Sequence, residues 1–492
     1  MTVLEPKGYY SRLFPPPTKP IGKGDEEKLI RLGDAMRYGV EREGTLTPRV
    51  GYTYFSQFVG HDITYDPTPL HGPYLEPQRT PNLRTSYLDL DHVYGGGPRR
   101  SPNLYEGPRG AETFKLGATI PTGYLRDLPI QNGTILLGDG EDARDLDNLI
   151  LRQLHVLFLK LHNEAVRQLT VKPSTISGFE HLNSGTIFDQ AQRLVRWHYQ
   201  WIVRHDLLPR ILHTSVWNRQ DRRPLACDES QNSFAIPIEF SLAAFRFGHS
   251  MVRNAYGLNC RQKRVTISDL MTLGHRPTPV SDDFVIEWGR FFDGLQSSGP
   301  VVSSSFIDTS IAPPLHDLSP STIRLCSKLE RSAQPPRLPV RTLLRGARAK
   351  LPSGQEVAAV LVGQGIINLE DCLTSAQLTQ DACNCAGSVL RDVALDQNTP
   401  LFYYLLKEAE LIAHGLTLGP IGSYIVATVI ENALEADPDS YMSVVGPDWK
   451  LPLWRFPSGS EEQVSSIIRV IRLVADNQLL PGCEDRWERG VV

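Results

Sequence analysis

The chain has no surplus of positive charge: 51 lysines and arginines stand against 55 aspartates and glutamates, a formal net charge of −4. A protein that grips nucleic acid neutralises phosphates with clustered Lys and Arg, so this balance argues against that class. Long apolar runs are missing as well; none reaches the roughly 20 residues of a membrane-spanning helix. The first residues, MTVLEPKGYYSRLFPPPTKP, place an acid and prolines where a secretory leader has its apolar stretch, and the expectation is a cytoplasmic protein. No motif recurs at the period of a solenoid. Cysteine is scarce: Cys227, Cys260, Cys326, Cys372, Cys383, Cys385 and Cys483 are odd in number and mostly far apart. The expected reading is reduced thiols in a reducing compartment; Cys383 and Cys385 are one residue short of the common metal spacing.

What is present suffices for a large helical core. Hydrophobic residues make up 41% of the chain. Residues 145–169 carry apolar side chains three and four apart, with Asp145 and Asp147 in the first turn, where the helix dipole favours negative charge. The pattern predicts further helices over 26–40, 51–66 (ending near Thr64), 186–212, 240–252, 400–413, 421–434 and 460–477. Proline-rich stretches at 67–83 and 331–340 read as loop and connector. Strand signals are few. The fold class is mainly α with very little β: an irregular arm over 1–24, where Pro15, Pro16 and Pro17 block regular structure, then one large domain over 25–492.

Several residues in this frame could carry chemistry. Gln57 and His61 lie four apart and share a helix face, though a histidine on an apolar helix is more often a satisfied core residue. Asp62 is turned from His61 by about 100°. In RTSYLDLDHVYGGG, Thr85, Tyr87, Asp89 and Asp91 alternate, which places them on one side of an extended loop. With Asp62 they offer carboxylate, hydroxyl and carbonyl oxygens, the donors calcium takes; an edge strand with acids turned to water fits the same spacing. Arg144 opens the long helix beside Asp147, an arrangement that also suits a surface ion-pair network. In FRFGHS, His249 follows Gly248, which lets a flat group approach the backbone, and haem iron is commonly held by one neutral histidine. His155, His162 and His198 lie on apolar helices and read as packing residues.

Taken in order, SQFVGHDIT, RTSYLDLDHVYGG, DARDLDN followed by LHVLFLKLHNEA, AFRFGHSMV and TLLRGARAKLPSG resemble the animal-type haem peroxidases of the peroxidase–cyclooxygenase superfamily, from about residue 50 to the 430s. Later segments (GRFFDG, TPLFYYLLKEAE, LGPIGSYIVA) look like its bacterial or other non-animal members. The resemblance implies a haem peroxidase domain in which His61 is the distal acid–base histidine, Arg144 the distal arginine, Gln57 the distal glutamine and His249 the iron ligand. Asp62, Thr85, Tyr87, Asp89 and Asp91 match the calcium site, with Asp91 where many relatives have serine. Arg246 matches an arginine near a haem propionate.

The departures matter as much. One haem-ester carboxylate of animal members is replaced by Gly60, so that link is chemically impossible. Asp147 stands where the other is usually glutamate, leaving open a single ester or a b-type haem. Asn148 replaces a sulfonium-forming methionine. The asparagine that accepts the proximal histidine's N–H lines up with Thr342. Arg246 occupies the position of the radical tyrosine of cyclooxygenase-type relatives. The implied activity is oxidation of small organic donors or easily oxidised halides and pseudohalides by hydrogen peroxide through ferryl intermediates. An oxygenase or biosynthetic tailoring enzyme acting on one metabolite, and a degenerate haem-binding protein, are the alternatives.

Overall fold

The computed structural model describes residues 5–22, 24–38, 41–42, 44–70, 76–138, 142–171, 184–218, 234–318, 336–381, 384–474 and 483. Helix accounts for 48% of the structure and strand for 9%, in a single mostly helical domain. The longer helices are α1 (Glu26–Ala35), α2 (Val50–Ile63), α3 (Leu149–Val171), α4 (Ile187–Ile202), α5 (Ile267–His275), α6 (Leu338–Arg348), α7 (Gly354–Gly363), α8 (Leu401–Ile412), α9 (Pro420–Ala436) and α10 (Ile467–Val474). Strands among the described residues form antiparallel pairs two or three residues long. No described helix is long and apolar enough to cross a membrane.

Helix α2 runs through the core, and nearly every residue in it is buried. Its length of apolar surface, Tyr52, Phe55, Phe58 and Val59, is covered on several sides at once, so it shows little amphipathic bias. Phe58 stacks on Phe158 of α3 with ring centroids 4.7 Å apart and an angle of 9°, which fixes the two helices together. The helix stops at Thr64, whose hydroxyl and backbone N–H both donate to Gly60 O, while Asn82 Nδ2 donates to Ile63 O. Helix α3 also packs on α4, α5 and α10.

Several expected elements differ. The long helix starts at Leu149; residues Arg144–Leu146 instead form a 3-10 turn. The segment 186–212 is helical to Ile211 but contains a π turn, Val203–Leu207. The expected helix over 240–252 is broken into Ile238–Leu242, a 3-10 turn Ala244–Arg246 and Gly248–Met251, because Ala243 leaves helical geometry (φ −133, ψ −73). In 460–477 a strand, Glu461–Gln463, precedes α10, and 475–477 lie outside the described residues.

The N-terminal arm is more ordered than its prolines suggest. Gly8–Tyr9 pairs antiparallel with Pro81–Asn82, and Leu13 N donates to Glu239 Oε2. Expectation also fails for the thiols: Cys260 and Cys483 form a disulfide. Cys372 and Cys385 are free, while Cys227, Cys326 and Cys383 lie outside the described residues.

Candidate active site

A cavity of about 290 Å³ lies between α2, the Arg144–Leu146 turn, the broken segment around His249 and α6. Gln57, Gly60, His61, Arg144, Asp147, Asn148, Arg246, Gly248, His249 and Thr342 all line it, so residues from four separated segments converge. Tyr10 reaches it from the N-terminal arm.

His61 is 8% exposed. Its Nδ1 lies 2.8 Å from Asp145 Oδ1, while Nε2 has no partner among the described residues. Burial and the charge of Arg144 lower the imidazole's pKa, against the opposing pull of Asp145. Arg144 Nη2 donates to His61 O at 3.0 Å and to Asp142 Oδ2 at 2.6 Å, and its Nε donates to Asp142 Oδ1 at 2.8 Å. Its guanidinium lies 4.5 Å from the centre of the Tyr65 ring. Gln57 Oε1 accepts from Asn148 Nδ2 at 3.5 Å.

On the other side, burial and then Arg246 push His249 down to about 3, so its imidazole is neutral and able to donate a lone pair. His249 Nδ1 is buried and has no hydrogen-bond partner. The contact expected with Thr342 is not formed: Thr342 lines the cavity, but its hydroxyl donates to Leu338 O one helical turn back, at 3.0 Å. A threonine hydroxyl inside a helix finds that carbonyl without leaving its rotamer, and its arm is too short to serve both.

Two features of the cavity fit a haem. A Cβ built on Gly248 would meet no heavy atom within 4 Å, leaving open space beside the His249 backbone for a flat group. Arg246, Arg341 and Arg345 also line the cavity, and burial together with Arg345 pulls Arg246 down to about 10. Crowded, desolvated guanidinium groups are stabilised by an anion, which propionates supply. Arg246 Nε is anchored on Ser241 O at 3.0 Å. Asp147 faces the same space with Oδ1 buried and unbonded; burial raises it to about 8, so it is a neutral acid at pH 7.

Behind α2 the loop expected to hold calcium is not an extended strand. It bends through 86–89, Leu90 takes a left-handed conformation (φ 57), and Asp91 opens a short helix, Asp91–Tyr94. Asp62 Oδ1 is held by His92 Nδ1 at 2.9 Å, and Asp62 Oδ2 and Thr85 Oγ1 are buried without a hydrogen bond. Burial, then Asp91 and Asp62 among its neighbours, raises Asp89 to about 7 even though Arg196 opposes the shift. Asp91 is already paired with Lys7 Nζ at 2.6 Å and Arg84 Nη1 at 3.2 Å. Converging buried carboxylates and free oxygens fit a hard cation, with Lys7 and Arg84 in place of one ligand's share. Tyr87 is half-buried in this loop.

Sequence reasoning missed two acids. Asp142 clamps Arg144 and Arg84 together. Asp145 is bonded to two imidazoles, His61 at 2.8 Å and His155 at 2.6 Å, and lies 3.4 Å from a third, His92, so His155 is more than a packing residue. The signal was the run EDARDLD, in which Arg144 is flanked by acids on both sides. His162 and His198 keep structural roles, bonded to Tyr94 Oη and Glu112 O, and to Leu194 O and Trp454 Nε1.

Comparison with known proteins agrees with this geometry. Residues 57–298 match the family model of the animal haem peroxidases. The chain is similar to peroxidase mlt-7 of Caenorhabditis elegans, 26% identical over 255 residues that cover 48% of this chain and 29% of that protein. The match spans less than a third of the length of these curated relatives. Its fold resembles that of peroxidase A from Dictyostelium discoideum (TM-score 0.63, 15% identity, covering 97% of this chain and 95% of the other). A fatty acid alpha-dioxygenase of Arabidopsis thaliana is similar too (TM-score 0.62, 14% identity, 95% and 77% covered). From the motifs, the shared fold and the family match together, the chain belongs to the animal haem peroxidase family, within the peroxidase–cyclooxygenase superfamily.

Proposed function

We propose that the protein is a haem oxidoreductase that uses hydrogen peroxide, with His249 as iron ligand and His61 and Arg144 acting on the peroxide. The observation that carries this reading is that a neutral, partly buried histidine and a histidine–arginine pair line one cavity beside an open glycine flank. When bound, haem supplies the iron at which peroxide is taken up and reduced. With Nδ1 committed to Asp145, His61 presents Nε2 to the cavity; it takes a proton from peroxide and returns it to the departing oxygen. Arg144 holds a fixed positive charge where negative charge builds. Gln57 orients water or halide, and Arg246 holds a propionate. Asp147, kept neutral, is placed to bond the macrocycle or to form one ester with it. Asp62, Asp89, Asp91, Thr85 and the Tyr87 carbonyl hold calcium, which steadies α2 beside His61. Small organic donors and easily oxidised halides or pseudohalides are the reducing substrates. The Cys260–Cys483 bond favours an oxidising compartment over the cytoplasmic one that composition suggested.

The test is the visible spectrum of haem-loaded protein mixed with peroxide, wild type against His61→Ala. The variant should keep haem and react at least about 100-fold more slowly; an unchanged rate would remove His61 from the mechanism. A second reading, an oxygenase working on one apolar metabolite, is favoured by the apolar side chains in the cavity lining, Val252, Ile267, Met271, Leu315 and Leu318. Oxygen uptake on such a substrate, with no turnover of phenols, would select it.

A further inference from the structure

We infer that Asp145 is a positioning residue for the distal base: it fixes the tautomer and orientation of His61. The inference rests on the reading of His61 as the base.

Asp145 is 4% exposed and sits in the 3-10 turn directly after Arg144. One short piece of backbone therefore sends a guanidinium toward the cavity and a carboxylate behind the His61 ring. Its Oδ1 takes His61 Nδ1 at 2.8 Å; its Oδ2 takes His155 Nδ1 at 2.6 Å and lies 3.4 Å from His92 Nε2. An ionised carboxylate only accepts hydrogen bonds, so the imidazole nitrogen facing it must carry the proton. That leaves the Nε2 lone pair of His61 for the cavity, the form a base needs before it can take a proton. His155 roots the carboxylate in α3, so the ring is oriented by a rigid helix rather than by a loop.

His92, which lies against Asp145, has its own partner: its Nδ1 meets Asp62 Oδ1 at 2.9 Å, and Asp62 follows His61 in the chain. Two neighbouring residues of α2 that face different ways thus have partners that stand beside each other, with a 3.4 Å contact rather than a hydrogen bond between His92 Nε2 and Asp145.

The test compares two ligands of the haem-loaded protein. Hydrogen cyanide must give up its proton to bind ferric haem as an anion; carbon monoxide binds ferrous haem with no proton transfer. Asp145→Asn nearly keeps the shape. It should slow cyanide association by about 10- to 100-fold, the usual effect of removing the group that orients an active imidazole, and leave carbon monoxide association within about twofold. Unchanged cyanide association, or both rates falling together, overturns the positioning role. If this variant does not hold haem, ¹⁵N-histidine NMR of the wild-type carbon monoxide complex decides the matter. A His61 signal, assigned by its loss in His61→Ala, should show the proton on Nδ1, and a proton on Nε2 overturns the inference. Slow cyanide capture in His61→Ala with a normal rate in Asp145→Asn defeats this inference alone. A normal rate in His61→Ala defeats the reading beneath it.

Discussion

Replacing Asp142 by alanine should cost the fold about 3–5 kcal/mol, the usual loss when one partner of a buried ion pair is removed. Its Oδ2 accepts from Arg84 Nε at 3.0 Å, Arg84 Nη2 at 2.7 Å and Arg144 Nη2 at 2.6 Å, and its Oδ1 from Arg144 Nε at 2.8 Å. The Arg84 side chain is 0% exposed and that of Arg144 14%. Alanine leaves two guanidinium groups without the carboxylate they share. Arg84 retains Asp91 at 3.2 Å, which softens but does not cancel the loss. The assay is urea unfolding followed by circular dichroism, run as a cycle with Arg84→Met. If the cost is an uncompensated charge, the double variant will be more stable than Asp142→Ala alone. A single-variant loss under about 1 kcal/mol, or a double variant no better than the single, refutes the reasoning. The pH dependence has a definite sign. Burial opposes ionisation of Asp142, but Arg144 and Arg84 prevail and hold it well below the usual carboxylate range. Its contribution is therefore complete above about pH 4 and is lost only as the solution is acidified toward the folded value. The gap between wild type and variant should be flat from about pH 5 to 8.

Three further outcomes follow from other sites. Asp147 is the opposite case: its pKa is raised to about 8, so unfolded chains lose this proton at lower pH than folded ones. Between about pH 4 and 8 wild-type stability should fall relative to Asp147→Asn in haem-free protein; parallel curves would mean Asp147 is solvated. Cys260→Ser should lower stability by about 2–5 kcal/mol, since the bond joins residues 223 apart. Reductant should then shift the wild type and not the variant, and insensitivity of the wild type would show the thiols unpaired. Calcium in large excess over its dissociation constant, about 100-fold, should add about 2.7 kcal/mol relative to chelator, and identical melting in both would remove the ion from Asp62 and Asp89.

What could be read from sequence followed from local rules. The apolar spacing of 145–169 and the Gln57–His61 interval depend only on helical periodicity, and both survive in α3 and α2. His249 was legible because a glycine and two aromatics stand beside it in the chain. Its backbone was not: periodicity predicted one helix over 240–252, and a single residue, Ala243, breaks it. The loop at 85–91 failed for a similar reason, since alternation assumes an extended chain and Leu90 turns it.

The partners of charged groups were the least readable. Asp145 follows Arg144 and read as part of a charged helix end, while Asp142, two residues before it, carried no reading at all. What assigns them is distance in the fold: Asp145 and His61 are 84 residues apart, and Asp142 and Arg84 are 58 apart. An aspartate exposed at a helix start and an aspartate buried among three imidazoles have the same local sequence. Only the tertiary placement of α2 against the Arg144–Leu146 turn separates them. That is why His61 could be singled out from a short motif, whereas the carboxylate bonded to it could not. It also means that a chain with His61 and Arg144 but a neutral residue after the arginine would match the same motifs and lack the carboxylate that His61 Nδ1 meets here.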